Sequence, residues 1–323
     1  STPLYSSAAS DVYKRQFNDT FDPDKFGRVM VIHGGYSNER DVSLESGAAI
    51  LSALKANSIN AFGWDPRNES LMCHLEKGID RAFIALHGKG GEDGLIQGLL
   101  ESYQIPYTGS GIIPSAIAMN KIASKRVFLS ENLPVPNYKL LKYKKDLQYA
   151  EADLGFPMIL KPVSEGSSLG MFKVCQSNEL LDAFETVLKY DGIVLAEEYI
   201  HGNEITVSIL KEKTLPSIKI RTKRDFYDFT AKYESDDTEY ICPGFDDNKN
   251  EKLYSELAIK AFNSLKCRGW GRVDFICDQD DSPKILEINT IPGMTKKSLV
   301  PNAAAKEVID FNTLCFNILV TSI

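Results

Sequence analysis

The alternation of apolar and polar residues in the first third of the chain predicts strands separated by helices. Apolar runs at 28–35 and 82–88 are typical of buried strands, and residues 43–57 and 95–103 carry apolar side chains at helical spacing. Strands that alternate with helices in this way predict a doubly wound parallel α/β unit. Such units hold ligands at the carboxyl ends of their strands. The glycine-rich segments HGGYSNE and HGKGGEDG stand at those ends.

The composition shifts to Gly, Ser and Pro at 107–114, which predicts a domain boundary. One helix is expected after it, over 115–129. Further along, the runs MILKP at 158–162 and MFKV at 171–174 predict two strands, and they flank the loop VSEGSSLG at 163–170. The middle segment of the chain, which follows the boundary at 107–114, therefore contains two predicted strands joined by a glycine-serine loop.

The later half of the chain contains both periodic and aperiodic segments. Helical spacing predicts helices at 178–189 and 250–265, and the apolar run IVLAEEYI predicts a strand at 193–200. Residues 221–243 are charged and aromatic and show no clean period. Long ordered loops in compact domains usually cover an active site, so we expect a lid at 221–237.

The segment RVDFICDQDDSPKILEINTIPG predicts a hairpin with polar residues on one face. Pairing Cys277 with Lys284 across the turn places Asp274 opposite Glu287, and Asn289 points to the same face as Glu287. Two facing carboxylates are destabilising unless a cation lies between them. An all-oxygen set of ligands suits magnesium rather than zinc. The alternative is a solvated face of an edge hairpin.

Composition narrows the class of protein. The chain has 323 residues, with 37 Lys plus Arg against 44 Asp plus Glu and a net charge of -7, which argues against a nucleic-acid partner or an anionic membrane surface. The six cysteines form no C-x-x-C pair, which indicates reduced thiols in the cytoplasm. Neither a membrane span nor a signal peptide is evident. Residues 1–27 are expected to be a disordered tail or a cloning or sequencing scar.

The glycine-serine loop resembles a phosphate cradle, because its glycines free backbone N–H groups to face an anion. It is not a P-loop, since no Gly-Lys-Ser/Thr follows it and the next element is a strand. Lys161 precedes the loop and Lys121 opens the middle segment, so two ammonium groups could hold phosphates. Together with the acidic hairpin, these features suggest a nucleoside triphosphate and magnesium held between two small sheets. This combination resembles the ATP-grasp arrangement.

Seven segments of the chain, in order, resemble those of the D-alanine:D-alanine ligases. They are HGGYSNERDVSLESG, ALHGKGGEDGLIQGLLE, PYTGSG, KPVSEGSSLGM, FYDFTAKY, GWGRVDF and LEINTIPGMTKKSLVP. The resemblance covers nearly all of 28–310. It implies an α/β and α+β fold, in which an N-terminal doubly wound parallel α/β domain at 28–110 precedes a two-subdomain ATP-grasp fold at 111–197 and 198–323.

The resemblance also implies roles for residues at the amino-acid sites. Glu39 would bind the ammonium of the first D-alanine, His87 would lie near that amino acid, and Ser167 would link Glu39 to Tyr233. The tetrahedral oxyanion and the second carboxylate would be stabilised by four further residues, Arg272, Gly293, Ser298 and Leu299.

On the nucleotide side, the resemblance implies binding of ATP with two Mg²⁺ or Mn²⁺ ions. The metal ligands would be Asp274, Glu287 and Asn289. Residues implied in ATP binding are Lys121, Lys161, Glu165, Gly166, Ser167, Ser168, Glu197, Glu198, Ile200, Glu204, Phe226, Lys232 and Asn289.

The implied activity is the ATP-dependent ligation of two D-alanines through an acyl phosphate. ADP and phosphate are released, and the D-alanyl-D-alanine serves peptidoglycan precursor synthesis in the cytoplasm. A homodimer is the family expectation. The chain departs from the usual family pattern at Ile291, Lys296 and Lys297 beside the acceptor site, and at Asn120.

Other functions stay open from the sequence. The acceptor could be D-lactate or D-serine, or the chain could be another carboxylate–amine ligase. A dinucleotide oxidoreductase is disfavoured because HGGYSN lacks G-x-G-x-x-G. A non-catalytic nucleotide-binding module would be expected to lose a metal ligand or Arg272, and both are retained.

Overall fold

The computed structural model describes residues 22–222 and 238–322. Phe226, Lys232, Tyr233 and nearly all of the lid predicted at 221–237 therefore lie outside the described residues. The described residues form three sheets with helices packed against them. The mixed α/β and α+β class expected from the sequence is confirmed.

The N-terminal sheet is parallel, and its three strands run in the order β2-β1-β3. Its strands and the helices around them are β1 (Val29–Ile32), α1 (Arg40–Ala56), β2 (Ala61–Trp64), α2 (Met72–Leu75), β3 (Arg81–Ile84) and α3 (Leu95–Ser102). All four residues of β1 are buried, as expected for a parallel strand that is covered on both faces.

The single helix predicted at 115–129 is wrong, because two helices occupy this stretch. They are α4 (Ile112–Met119) and α5 (Lys121–Ser130), separated by Asn120 in an extended conformation. The Asn120 side chain accepts hydrogen bonds from the amides of Ile122 and Ala123. Asparagine is a favoured N-cap, so Asn120 ends one helix and starts the next in a new direction.

The second sheet is antiparallel, with strand order β4-β7-β5-β6. Its elements are β4 (Tyr138–Leu141), α6 (Leu147–Leu154), β5 (Met158–Pro162), β6 (Phe172–Val174), α7 (Ser177–Asp191) and β7 (Val194–Glu198). Apolar residues of α7, including Leu180, Phe184 and Val187, form one buried cluster with the sheet. The glycine-serine loop joins β5 to β6 at the edge of this sheet, as the sequence predicts.

The third sheet has six strands, in the order β11-β10-β8-β12-β13 with β9 paired to β8. Its elements are β8 (Asn203–Leu210), β9 (Lys213–Thr214), β10 (Ile218–Arg221), β11 (Glu239–Ile241), α8 (Asn248–Ser264), β12 (Trp270–Cys277) and β13 (Pro283–Asn289). Two helices follow, α9 (Leu299–Lys306) and α10 (Phe311–Val320). Helix α10 returns to the first sheet, where Leu314 and Ile318 share a core cluster with β1.

The β12–β13 hairpin pairs Asp274 with Glu287, as predicted, but the predicted partner of Cys277 is wrong. Cys277 pairs with Pro283, because the register shifts by one residue beyond Asp274. The shift allows Ile285 and Ile288, three residues apart, both to be buried. A bulge therefore keeps the apolar face in the core while the acidic face stays aligned.

Candidate active site

Two adjoining cavities are lined by many of the predicted site residues. The larger, of about 450 Å³, is lined by Glu39, His87, Arg272, Gly293 and Ser298, among others. The smaller, of about 70 Å³, is lined by Lys121, Lys161, Gly166, Ser168, Glu204 and Asp274 with their neighbours. Glu287 lines both cavities, so the hairpin connects them.

The hairpin carboxylates are each matched by a cation. The Arg272 guanidinium donates to both oxygens of Asp274, at 2.7 and 2.8 Å, and the Asn289 amide nitrogen donates to Asp274 at 2.8 Å. Glu287 lies 3.0 Å from the Lys121 ammonium. These pairs explain how two carboxylates can face each other across one ladder.

Lys121 is held in its charged form. Burial is the largest single influence and opposes its charge, but the contacts with Glu287, together with the attraction of Glu197 and Glu39, outweigh burial and raise the pKa of Lys121 above its ordinary value. The ammonium also donates to the backbone carbonyl of Glu165 at 2.8 Å. Lys121 therefore ties the acidic hairpin to the glycine-serine loop.

Lys161 is held by a buried carboxylate. Glu197 is 3% exposed, and its two oxygens each lie 2.8 Å from an ammonium, one from Lys161 and one from Lys125. Burial alone would raise the pKa of Glu197, but the two lysines lower it to about 2. A contact between Glu197 and adenine stays a prediction, and the structure shows that this carboxylate also fixes Lys161.

Glu39 is enclosed by the loops that follow β3 and β5. The Ser167 hydroxyl donates to one Glu39 oxygen, which is the contact expected from the sequence. A Cβ added at Gly166 would lie 2.9 Å from the Glu39 carboxylate, and one at Gly88 would lie 2.6 Å from it. Glycine is therefore needed at both positions for the loops to approach Glu39.

Both nitrogens of His87 have partners in the structure. Its Nδ1 lies 2.9 Å from the Ile291 carbonyl, and its Nε2 lies 3.0 Å from the Ser46 hydroxyl. Burial lowers the pKa of His87, so a neutral ring that donates from Nδ1 satisfies both contacts. His87 thereby anchors the segment around Ile291 beside Glu39.

The remaining acceptor-side residues lie where α9 begins. The Ser298 hydroxyl accepts a hydrogen bond from the Thr295 amide at 2.9 Å, and Leu299 is the first residue of the helix. Free N–H groups at a helix N-terminus attract anions, as expected for a carboxylate site. Lys296 and Lys297 line the same cavity.

The other predicted nucleotide residues occupy varied positions. Glu165 directs its side chain to Lys89, at 2.5 Å. Glu198 accepts from both the backbone and the side-chain amide of Asn137, at 2.9 Å each. Ile200 is half-buried just beyond β7, and Glu204 lies on β8.

Comparison with known proteins decides the family. A family model described as the C-terminus of D-ala D-ala ligase matches residues 127–320, and one described as its N-terminus matches residues 64–110. A D-alanine–D-alanine ligase of Aromatoleum aromaticum is 48% identical over 295 residues, which are 91% of this chain and 96% of that protein. One of Pseudomonas fluorescens is 47% identical over 304 residues, 94% of each chain. The chain belongs to the D-alanine–D-alanine ligase family.

Solved structures of ligases agree with this assignment. The D-alanine–D-alanine ligase of Bacillus anthracis complexed with ATP has a TM-score of 0.80 and 35% identity, and it covers 91% of this chain and 97% of its own. The VanG D-Ala:D-Ser ligase of Enterococcus faecalis has a TM-score of 0.79 and 26% identity, over 92% and 99% of the two chains. The fold is therefore shared by ligases with different acceptors.

The donor set of this ligase fits magnesium. Asp274, Glu287 and Asn289 place two carboxylates and an amide on one face of the hairpin, and hard oxygen ligands suit that ion. Among the described residues, no group of three or more His, Cys, Asp or Glu side chains is placed so that those side chains alone could hold a metal ion.

Two site residues were not singled out in the sequence. Lys125 lies four residues after Lys121 on one helical face, a spacing that could have shown it. Glu92 accepts from the amides of Gly88 at 2.8 Å and Ile291 at 3.3 Å, and burial raises its pKa to about 8. Ile291 lies 199 residues along the chain from Glu92, and no local pattern predicts that contact.

Proposed function

We propose that the protein uses ATP to join two D-alanine molecules into D-alanyl-D-alanine. The observation that carries this proposal is the position of Glu287, which lines both the cavity with Lys121 and Lys161 and the cavity with Glu39. A phosphoryl group can therefore pass from one cavity to an amino acid in the other. Membership of the ligase family supports the same reaction.

On the donor side, Glu39 would bind the ammonium of the first D-alanine. Ser167 and the two close glycine loops hold its carboxylate in one orientation. A fixed ammonium contact directs the substrate carboxylate toward the hairpin, where Arg272 lies. Orientation of this kind lowers the barrier by replacing a chance encounter with a bound geometry.

On the nucleotide side, Lys121 and Lys161 would hold the phosphates as point charges. Asp274, Glu287 and Asn289 would hold magnesium, which supplies charge neutralisation of the transferring phosphoryl group. The glycine-serine loop offers backbone N–H groups from the opposite side, and Ser167 and Ser168 have positive φ angles of 51° and 57° in that loop.

The reaction then follows from ordinary acyl chemistry. A carboxylate oxygen of the first D-alanine takes the γ-phosphoryl group, and ADP leaves. The amine of the second D-alanine attacks the acyl carbon, and phosphate leaves with that carboxylate oxygen. Arg272 and the Gly293 N–H would stabilise the charge that develops on the remaining oxygen. Ser298 and the start of α9 would bind the second carboxylate.

A coupled assay for ADP and phosphate tests this function. We expect D-alanine to drive equal release of both products together with D-alanyl-D-alanine, and L-alanine to give neither. Absence of ADP release with D-alanine and magnesium-ATP would show that the reaction is a different one.

D-serine is the second acceptor to be tested, because a D-Ala:D-Ser ligase shares this fold. D-lactate is a third, because its size is similar to that of D-alanine. The sequence argument for the dipeptide rests on Tyr233, which lies outside the described residues. Competition between D-alanine, D-serine and D-lactate at neutral pH, with separation of products, decides the acceptor. We expect D-alanyl-D-alanine to predominate.

We also propose a cytoplasmic homodimer. Large apolar side chains are exposed on the adjoining helices α3 and α4, with Leu95 at 70% and Ile113 at 69%. Exposed apolar side chains on neighbouring helices fit a contact with a second copy of the chain. All six cysteines lie among the described residues and are free thiols, as is usual in reducing compartments. No helix in the described ranges is long and apolar enough to cross a membrane.

Sedimentation of the wild type and of Ile113→Glu tests the dimer, which the charge should weaken.

A further inference from the structure

Helix α5 presents two lysines on the same face, because Lys121 and Lys125 are four residues apart. Each lysine reaches a carboxylate in a different sheet. Lys121 lies 3.0 Å from Glu287 on β13, and Lys125 lies 2.8 Å from Glu197 on β7. Helix α5 therefore joins the two sheets between which the nucleotide is proposed to bind.

Lys125 differs from Lys121 in its surroundings. The side chain of Lys125 has no exposed surface. Lys121 and Lys161 line the small cavity, whereas Lys125 does not. Burial lowers the pKa of Lys125, and Glu197 opposes that shift. A fully buried ammonium is costly, and an apolar residue of similar length would often stabilise a fold as well or better. We therefore expect the positive charge of Lys125 to have a function of its own.

The net charge of Lys125 and its two neighbours indicates what that function is. Glu197 lies between Lys125 and Lys161, so the three groups carry one net positive charge. Without Lys125, the charges of Glu197 and Lys161 would cancel. A phosphate approaching Lys161 would then meet a neutral ion pair instead of a net cation.

We propose that Lys125 is a positioning residue for nucleotide binding: it balances the charge of Glu197, so that the positive charge of Lys161 is not cancelled where the triphosphate binds. This inference rests on the proposed function, and it concerns a residue that touches neither cavity. Lys125 acts through Glu197, whose oxygens divide their attraction between the two lysines.

The first test removes the charge of Lys125 while keeping its length. For Lys125→Met, we expect the Kd of magnesium-ATP and the KM for ATP to rise about tenfold or more, as befits the loss of a nearby unit charge at an effective dielectric of about 20. The KM values for D-alanine should stay within about twofold of wild type. Lys125→Arg keeps the charge and should bind ATP much more tightly than Lys125→Met.

The second test restores the charge without restoring the lysine. In Lys125→Met combined with Glu197→Gln, the net charge of the three positions returns to one, and glutamine still has an oxygen to accept a hydrogen bond from adenine. We expect ATP affinity to recover at least half of the loss on a logarithmic scale. Circular dichroism and thermal unfolding establish that each variant is folded. If Lys125→Met does not fold, the ATP affinity of the double variant is compared with those of Glu197→Gln and wild type, and an affinity near the wild-type value supports the inference.

Two results would overturn the inference. One is wild-type ATP affinity in folded Lys125→Met. The other is a folded double variant that binds ATP no better than Lys125→Met, because that would make the loss structural rather than electrostatic. Failure of the wild type to bind magnesium-ATP would instead count against the proposed function.

Discussion

Asp274 and Glu287 face each other across the β12–β13 hairpin, and each carboxylate has its own cation. Arg272 holds Asp274 through two hydrogen bonds, and Lys121 pairs with Glu287 at 3.0 Å. The two carboxylates that we propose as magnesium ligands are therefore each already paired with a protein cation.

Glu287→Gln should sharply lower turnover while the protein stays folded. The change removes one charge from the proposed metal pair and weakens the hold on Lys121. We expect kcat to fall by roughly 100-fold or more, since even an outer-shell partner of a metal is worth 10- to 100-fold. Steady-state rates over a magnesium titration measure the effect. The exposed Glu256→Gln is a matched control, and near-normal activity of Glu287→Gln at limiting magnesium would refute the metal assignment.

Arg272→Ala should reduce kcat by roughly 10²- to 10³-fold, the usual cost of losing an oxyanion donor. The effect on ATP affinity should be smaller, because Arg272 lines the amino-acid cavity and not the small one. Arg272→Lys keeps a charge but cannot hold both oxygens of Asp274, so it should recover only part of the rate. If ATP binding collapses in Arg272→Ala while the residual chemistry is unchanged, Arg272 is a nucleotide ligand instead.

Ser167→Ala should raise the KM for the first D-alanine. The serine donates to Glu39, and hydrogen bonds to charged groups are worth about 1.5–3 kcal/mol, so we expect a change of roughly 10- to 100-fold. Initial rates over a wide range of D-alanine concentrations, fitted with one KM for each site, separate the donor from the acceptor site. The exposed Ser102→Ala serves as the control. An unchanged donor KM would mean that Glu39 needs no support from the loop.

The Arg40–Asp65 pair should make stability depend on acid pH. The Asp65 carboxylate is 8% exposed and lies 2.6 Å from Arg40. Burial opposes its charge, but Arg40 and backbone amides lower its pKa to about 2. Because the folded pKa lies below the unfolded value, the stabilisation is complete above about pH 4 and is lost as pH falls toward 2.

Asp65→Asn should therefore lower the free energy of unfolding at pH 7 by about 2 kcal/mol. The difference between this variant and wild type should shrink as the pH falls from about 4 to 2. Urea unfolding across this pH range measures it. Asp153→Asn, at an exposed ion pair with Lys139, should change stability little at any pH. A constant difference at all pH values would place the effect in packing.

The sequence predicts those features of the site that follow from local periodicity. Asp274 opposite Glu287 follows from the two-residue repeat of a hairpin, and it holds although the register shifts beyond Asp274. The shift itself was missed because a bulge depends on which apolar residues reach the core, here Ile285 and Ile288. The break at Asn120 was missed because apolar residues continue through it, while its capping contacts end the helix.

Long-range contacts could not be predicted in the same way. Lys125 meets Glu197 from another sheet, and Glu92 meets the amide of Ile291, 199 residues away. Each contact depends on how separate elements pack together, which no local spacing encodes. The family resemblance places residues in the site, but the charge balance among them appears only in three dimensions.

Transfer of an oxygen atom tests the proposed reaction most directly. D-Alanine labelled with ¹⁸O in its carboxylate is incubated with unlabelled ATP, magnesium and the enzyme, and the phosphate released is analysed by mass spectrometry. If the carboxylate accepts the phosphoryl group before the second amine attacks, each phosphate carries one ¹⁸O and D-alanyl-D-alanine accumulates with it. Unlabelled phosphate alongside the dipeptide would contradict an acyl phosphate and the site assigned to it here.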